Sequence, residues 1–389
     1  MKVYFCLFVS FLLLFFSFSP VEAQNDTIAD EFDAPVILLG EPASGEILLK
    51  DQIDKQVYPA SITKIMTLLV AMEEIENKEV SMNDEVIVSE KSEGIEGTTL
   101  FLEKGHKIEL RDLLVGIAVG SANDASVAVA EHISGTVAAF VDSMNKKASE
   151  IGLENTSFTN PHGLHDPDHY TTARDIFKMS RALLEHEKVL EWFQIWMDDS
   201  FLEGVINDEG VYLSNTNRLI DWYPGCDGLK TGYTEQANHG IAATAKRNDA
   251  RFVAIVMESE GSEERFDEAS ELLDYGFSNF EVSKIISQGG LVKNLRVNKG
   301  KEPTVSAVAK KELSVVYRRG ETPSLQPQVK IDKEFVEAPV KKGEILGKAY
   351  VEHEDKKIEV SLVAGEEVAE ASYIDLLKRV IKDWVRFGS

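Results

Sequence analysis

Strand-length apolar runs and longer helical stretches are interleaved over most of the chain. From about residue 31 to 278, "APVILLG" (34–40), "EILLK" (46–50) and "RFVAIVME" (251–258) read as strands. "LRDLLVGIAVGSANDASVAVAEHI" (110–133) and "TARDIFKMSRALLEH" (172–186) carry apolar residues every three to four positions and read as long helical stretches. "HGIAATAKRNDARFVAIVM" (239–257) reads as a β-hairpin turning near Asn248-Asp249. Together they predict an α+β fold, helices packed on an antiparallel sheet. From about 282 to 368 the pattern shortens to "TVSAVA", "LSVVYRRG" and "KIEVSLVAG", split by Gly and Pro, which predicts a small all-β sandwich domain.

Both ends carry a different signal. Residues 1–23 have Lys2, an apolar run from Val3 to Phe18 and a Val21-Glu22-Ala23 ending, the layout of a secretory signal peptide cut before Gln24. Over residues 371–389, Tyr373, Ile374, Leu377, Val380, Ile381, Trp384 and Phe387 form one apolar stripe, with Lys378, Arg379, Lys382 and Arg386 on the rest of the surface. We read this stretch as an amphipathic helix lying in the headgroup region of a membrane, its hydrophobicity too broken for a span. The competing reading is a helix that packs its stripe on the β-domain.

Length and charge narrow the classes. The 389 residues are enough for two domains. A net charge of −25 disfavours nucleic acid as a partner, because such a surface repels phosphate. Removal of the signal would leave Cys226 as the lone cysteine, so no intrachain disulfide is expected.

Candidate chemistry begins at "YPASITKIMT" (58–67). On an α-helix Ser61 and Lys64 would lie about 60° apart and one turn removed, close enough to touch. A lysine kept from water and near other positive charge loses its proton readily and can take one from a serine hydroxyl. Taken alone, the pair also describes a capping serine and a surface lysine. Two further segments change that. Ser121-Ala122-Asn123 follows about 60 residues after Ser61, and Lys230-Thr231-Gly232 about 110 after that. Ser-x-x-Lys, Ser-x-Asn and Lys-Thr-Gly in this order are the motifs of penicillin-recognising serine acyl enzymes.

On these motifs, and on "VGSANDASVAVAEHISGT", "FTNPHGLHDPDHYTTARD", "GLKTGYT" and "LLDYGF", the chain resembles the D-alanyl-D-alanine carboxypeptidases, low-molecular-mass penicillin-binding proteins of Gram-positive type, over essentially its whole length. The resemblance implies a penicillin-binding, serine β-lactamase-like transpeptidase domain followed by the β-domain and terminal helix. It implies a hydrolase with no metal or organic cofactor, acting at the outer face of the cytoplasmic membrane. Its partners would be peptidoglycan stem peptides ending in D-Ala-D-Ala, with β-lactams as inhibitors. Ser61 would be the nucleophile, Lys64 the general base, and Ser121 a proton relay to the leaving amine. Asn123 would hold the substrate amide, and Lys230 and Thr231 its terminal carboxylate. Gly232 would let the substrate backbone come close. The N–H groups of Ser61 and Tyr233 would face the oxyanion. Arg265 falls where the family places a carboxylate-binding arginine; the alternative is a surface arginine among Glu263, Glu264 and Asp267.

Other residues invite competing readings. His162, His165 and His169 cluster with Asp166 and Asp168; we favour a structural loop over a metal site. Cys226 reads as a small buried hydrophobe rather than a reactive thiol. Relatives often carry Gly, an aromatic and Cys where this chain has Asn238, His239 and Gly240, and a histidine where it has Tyr233. The Tyr233 change is expected to be mild, and the other three bear on substrate fit. Rival functions are a β-lactamase, disfavoured because no Glu-x-x-Leu-Asn segment is found, an endopeptidase on the same residues, and a non-catalytic wall-binding scaffold.

Overall fold

The computed structural model describes residues 32–321, 323–333, 335–353 and 356–375. The signal segment 1–23 and residues 376–389 of the expected terminal helix lie outside the described residues.

The architecture of the first domain follows from strands that are apolar on both faces. Five antiparallel strands form one sheet in the order Glu46–Asp51, Val36–Glu41, Ala250–Ser259, Asn238–Arg247, Cys226–Thr234. Side chains alternate along each strand. Val36 and Leu38, Val253 and Ile255 therefore join one core, whereas Ile37 and Leu39, Phe252 and Ala254 join a second core on the other face. Helices Lys64–Glu76, Leu110–Ala118 and Ala173–Leu183 contribute to the first core, and helix Glu264–Asn279 covers the second. With both faces covered, the central strands read as continuous apolar runs. Each fully buried Leu, Ile, Val or Phe contributes about 1.5–3 kcal/mol of transfer free energy.

Two departures from the expected helices matter for the site. The run 110–133 is not continuous: it is two helices, Leu110–Ala118 and Asn123–Ser134. In the break Ser121 takes φ +63°, a left-handed conformation that costs a non-glycine residue on the order of 1 kcal/mol or more. Ser61 likewise precedes its α-helix, in the 3-10 turn Ala60–Thr63, and the helix begins only at Lys64.

The chain leaves helix Glu264–Asn279 directly into strand Phe280–Ile286. That strand pairs with Leu313–Arg318, and six further strands form a sheet in the order Gln328–Ile331, Ile345–His353, Lys356–Ala364, Thr304–Ala309, Leu291–Asn298, Phe335–Glu337. The two unequal sheets enclose a third core, as the sandwich reading expected. Val315 faces this core and Val316, the next residue, faces the second core of the first domain, so one strand joins the two domains by apolar contact. Ion pairs Lys311–Glu185 and Lys356–Glu46 span the same junction.

Candidate active site

The 3-10 turn brings Ser61 and Lys64 closer than an α-helix would, because residues three apart eclipse at three residues per turn. Lys64 Nζ lies 3.0 Å from Ser61 Oγ. The ammonium end is fully buried and makes two shorter bonds, 2.7 Å to Asn123 Oδ1 and 2.7 Å to the His162 carbonyl. Both of these oxygens can only accept. A neutral amine therefore spends its two N–H bonds on them and points its lone pair at the Ser61 hydroxyl. Burial above all, and then the charge of Lys230, hold the Lys64 pKa well below its ordinary value, against a smaller opposing effect of Asp124.

Asn123 is committed to this arrangement. Its Oδ1 accepts from Lys64, its Nδ2 donates to the Glu96 carbonyl at 2.7 Å, and its backbone N–H donates to Thr98 at 2.8 Å. Next to it, the buried Asp124 carboxylate accepts the N–H groups of Leu100 and Leu102. The segment 96–102 is thus pinned to the Ser-x-Asn turn, and Gly97 and Thr98 become one wall of the pocket. A Cβ on Gly97, at φ +88°, would stand 2.7 Å from Asn123 Nδ2. Only one amide N–H of Asn123 is left without a partner here to meet a substrate, so the side chain positions Lys64 first.

Lys-Thr-Gly lies on the edge strand Cys226–Thr234. Lys230 is fully buried and reaches Ala118 O and Thr216 Oγ1 only at 3.4 Å each. Burial, then the charge of Arg265, lower its pKa to about 7. Gly232 has a packing reason to be glycine beside the expected one. A Cβ there would stand 2.7 Å from the Pro59 carbonyl and 3.1 Å from Ala60 Cβ, so the missing side chain lets the Ser61 turn seat against the strand.

Arg265 is not a surface arginine paired with its acidic neighbours. It is 8% exposed, donates from Nη1 to the Gly232 carbonyl at 3.2 Å and lines the pocket. Glu263 pairs with Arg218 instead. Burial lowers the Arg265 pKa to about 10, and its buried Nε has no hydrogen-bond partner among the described residues.

Ser61, Ser121, Asn123, Thr231, Gly232, Tyr233 and Arg265 line one cavity of about 410 Å³, with Lys64 and Lys230 buried behind it. A larger cavity of about 950 Å³ lies between the domains and contains none of them. The histidine loop does structural work. His169 Nδ1 accepts from the Thr159 N–H at 3.1 Å, so its Nε2 donates to Thr63 Oγ1 at 2.8 Å, beside Lys64. Burial lowers the His162 pKa to about 3 and that of His169 to about 4, so both are neutral. Cys226 is buried, and burial raises its pKa to about 12, which makes the thiol inert.

Sequence reasoning did not find the His162 carbonyl, Thr216, Gly97, Thr98 or Gly163. A Cβ on Gly163 would overlap the Ala60 carbonyl at 1.8 Å, so this glycine fixes the loop against the Ser61 turn. The only signal in the sequence was a glycine next to the histidine.

Comparison with known proteins agrees with the geometry. Residues 22–261 match the peptidase S11 family, D-alanyl-D-alanine carboxypeptidase, and residues 280–370 match the penicillin-binding protein 5 C-terminal domain. The chain is 36% identical to D-alanyl-D-alanine carboxypeptidase DacF of Bacillus subtilis over 385 residues, 98% of each chain. Among solved structures it is similar to penicillin-binding protein 5 from Haemophilus influenzae, with TM-score 0.68 and 30% identity over 87% of this chain and 98% of that one. It is also similar to penicillin-binding protein D2 from Listeria monocytogenes in its ampicillin-bound form, with TM-score 0.57 and 28% identity over 63% of this chain and 98% of that one. Similarity that runs through the catalytic domain and on through the β-domain behind it, at these identities, means that the chain belongs to the S11 family of D-alanyl-D-alanine carboxypeptidases.

Proposed function

We propose that the protein removes the terminal D-alanine from peptidoglycan stem peptides through an acyl-enzyme on Ser61. The observation that supports this most is the buried Lys64, its pKa lowered by burial and by Lys230, with its Nζ 3.0 Å from Ser61 Oγ. As Ser61 Oγ attacks the carbonyl between the two D-alanines, its proton passes to Lys64. The N–H groups of Ser61 and Tyr233 take the oxyanion. Ser121 relays a proton to the leaving amine, which departs as D-alanine. Lys230, Thr231 and Arg265, which lines the cavity, hold the carboxylate of that residue. Water then attacks the ester and restores Ser61.

The same pocket argues against a β-lactamase. None of the described residues that line it is a carboxylate, so no Asp or Glu stands ready to drive water onto an acyl-enzyme. A β-lactam leaves its opened ring tethered in the site and should deacylate slowly. With a peptide ending in D-Ala-D-Ala, the wild type should release free D-alanine and Ser61→Ala should not. A penicillin should leave a mass adduct on the Ser61 peptide of the wild type alone. No release from folded wild type would favour the wall-binding scaffold, and rapid penicillin turnover with no adduct would favour the β-lactamase.

The reading locates the protein in the cell envelope, and residues 371–389 give it a membrane surface to rest on. Tyr373 and Ile374, the first residues of the stripe, are 88% and 64% exposed rather than packed on the β-domain. The basic face of the segment suits anionic lipid, against the charge of the chain as a whole. Near the end of the described residues a backbone bond to the β-domain runs from Ala371 N–H to Lys299 O at 2.7 Å, and a chain truncated after Ser372 retains it. That truncation should retain full activity on soluble peptide and no longer sediment with anionic vesicles. Unchanged sedimentation, or a lowered unfolding midpoint of the β-domain, would assign the stripe to the protein interior.

A further inference from the structure

Two stacked aromatic rings, one of them lining the pocket, take no part in the proposed chemistry. Tyr233 follows Gly232 on the edge strand, lines the cavity and is 56% exposed. Its ring is stacked on His239, with centroids 4.4 Å apart and planes 24° from parallel. The two are direct cross-strand partners in the register of strands Cys226–Thr234 and Asn238–Arg247, so their side chains share one face. Burial, then the charge of Arg265, lower the His239 pKa, which favours the uncharged imidazole in the stack. Both positions are departures noted in the sequence, and the fold pairs them with each other. A stack of two rings with two torsions each is rigid surface that loses little freedom when a ligand arrives.

Arg265 orients this surface relative to the reaction. Its Nη1 donates to the carbonyl of Gly232, the residue before Tyr233, and its charge acts on His239. If the carboxylate of the released residue lies against Lys230, Thr231 and Arg265, the rings flank that residue rather than the acyl half of the substrate. A cavity of about 410 Å³ also has room that two alanyl groups do not fill.

We propose that Tyr233 and His239 form a specificity-determining platform for the side chain of the released residue, so that the enzyme cleaves stem peptides ending in larger apolar or aromatic D-residues as well as D-alanine. The proposal rests on the carboxypeptidase reading and extends it to the leaving group. One face of Tyr233 is covered by His239, and the other is free to pack a leucyl or phenyl side chain, which the methyl of D-alanine is too short to use.

The test compares kcat/KM for three peptides that differ only in the last residue, D-Ala-D-Ala, D-Ala-D-Leu and D-Ala-D-Phe, in wild type, Tyr233→Ala, Tyr233→Phe and His239→Ala. The readout is the ratio of bulky to D-alanine substrate within each variant, which cancels any loss common to all substrates. Wild type should cleave the bulky peptides within about 10-fold of D-Ala-D-Ala. Tyr233→Ala should lower the ratio by about 3- to 10-fold, the worth of an aromatic contact. His239→Ala should move it the same way, and Tyr233→Phe, which keeps the ring, should leave it in place. If Tyr233→Ala does not fold, His239→Ala carries the same comparison. Wild-type discrimination against the bulky peptides beyond about 1000-fold, or a ratio that holds or rises on loss of the Tyr233 or His239 ring, would make the rings a wall and overturn the platform. Absence of D-alanine release from D-Ala-D-Ala itself would be seen separately, and would remove the underlying reading and the platform together.

Discussion

Lys64→Met should lower D-alanine release and penicillin acylation by about 10³-fold or more, in the upper range for loss of a general base that acts as a unit with its nucleophile. No other described basic group is within hydrogen-bond reach of Ser61 Oγ, so nothing nearby takes over the proton. Protonation state gives the test its sign. Lys64 works as the free amine, and its pKa is depressed by burial and by Lys230. Acylation should therefore fall as the solution is acidified through that lowered pKa. Lys64→Arg, which keeps its proton throughout, should be as inactive as Lys64→Met at every pH. The measurement is the second-order rate of acylation by a penicillin from acid to alkaline pH. A Lys64→Met rate within tenfold of wild type would assign proton removal to another group.

Lys230→Met should give a protein that is more stable and less active. Lys230 is fully buried, and its two bonds of 3.4 Å are long for a charged donor. Its folded pKa of about 7 lies below the value near 10.4 of an unfolded lysine. Over that window the unfolded chain binds more protons than the folded one. The group therefore lowers stability in full below about pH 7, and the penalty fades as pH rises towards the unfolded value. Its size is of the order of a few kcal/mol. Methionine fills similar space without charge, so the unfolding midpoint should rise by several degrees at pH 7 and by less at pH 10. Loss of the carboxylate partner should lower kcat/KM by about 10- to 100-fold, the range for a hydrogen bond to a charged group. The acid limb of the remaining activity should move to higher pH, because the charge on Lys230 is the second cause that depresses Lys64. A midpoint below that of wild type at pH 7 would refute the claim that an unrelieved buried charge is held at this site.

Such a trade of stability for chemistry cannot be seen in a one-dimensional pattern. The spacing of "YPASITKIMT" says that Ser61 and Lys64 can meet, and the order of the three motifs says which chemistry they would share. Neither says that Lys64 has no exposure, because burial is set by helices and loops distant in sequence: Asn123 and His162 reach it from 59 and 98 residues away. Arg265 makes the same point. Its neighbours Glu263, Glu264 and Asp267 read as a solvated acidic surface, yet the helix Glu264–Asn279 turns the arginine alone towards Gly232.

By itself, the sequence determined the strands, the division into an α+β part and a β-rich part, and the three motifs. These are local properties: an apolar run bounded by turn residues becomes a strand, and a serine three places from a lysine is one turn away in either a 3-10 or an α-helix. Tertiary structure decided everything that depends on backbone groups or on which face meets which. It broke the run 110–133 at Ser121 and tightened the Ser61 turn. It assigned Asn123 to Lys64, and gave Gly232 and Gly163 to the packing of that turn. It also stacked Tyr233 on His239 through the register of a hairpin. A carbonyl oxygen is the same atom in every residue, so the bond from Lys64 to His162 leaves no mark on the identity of the residue that makes it.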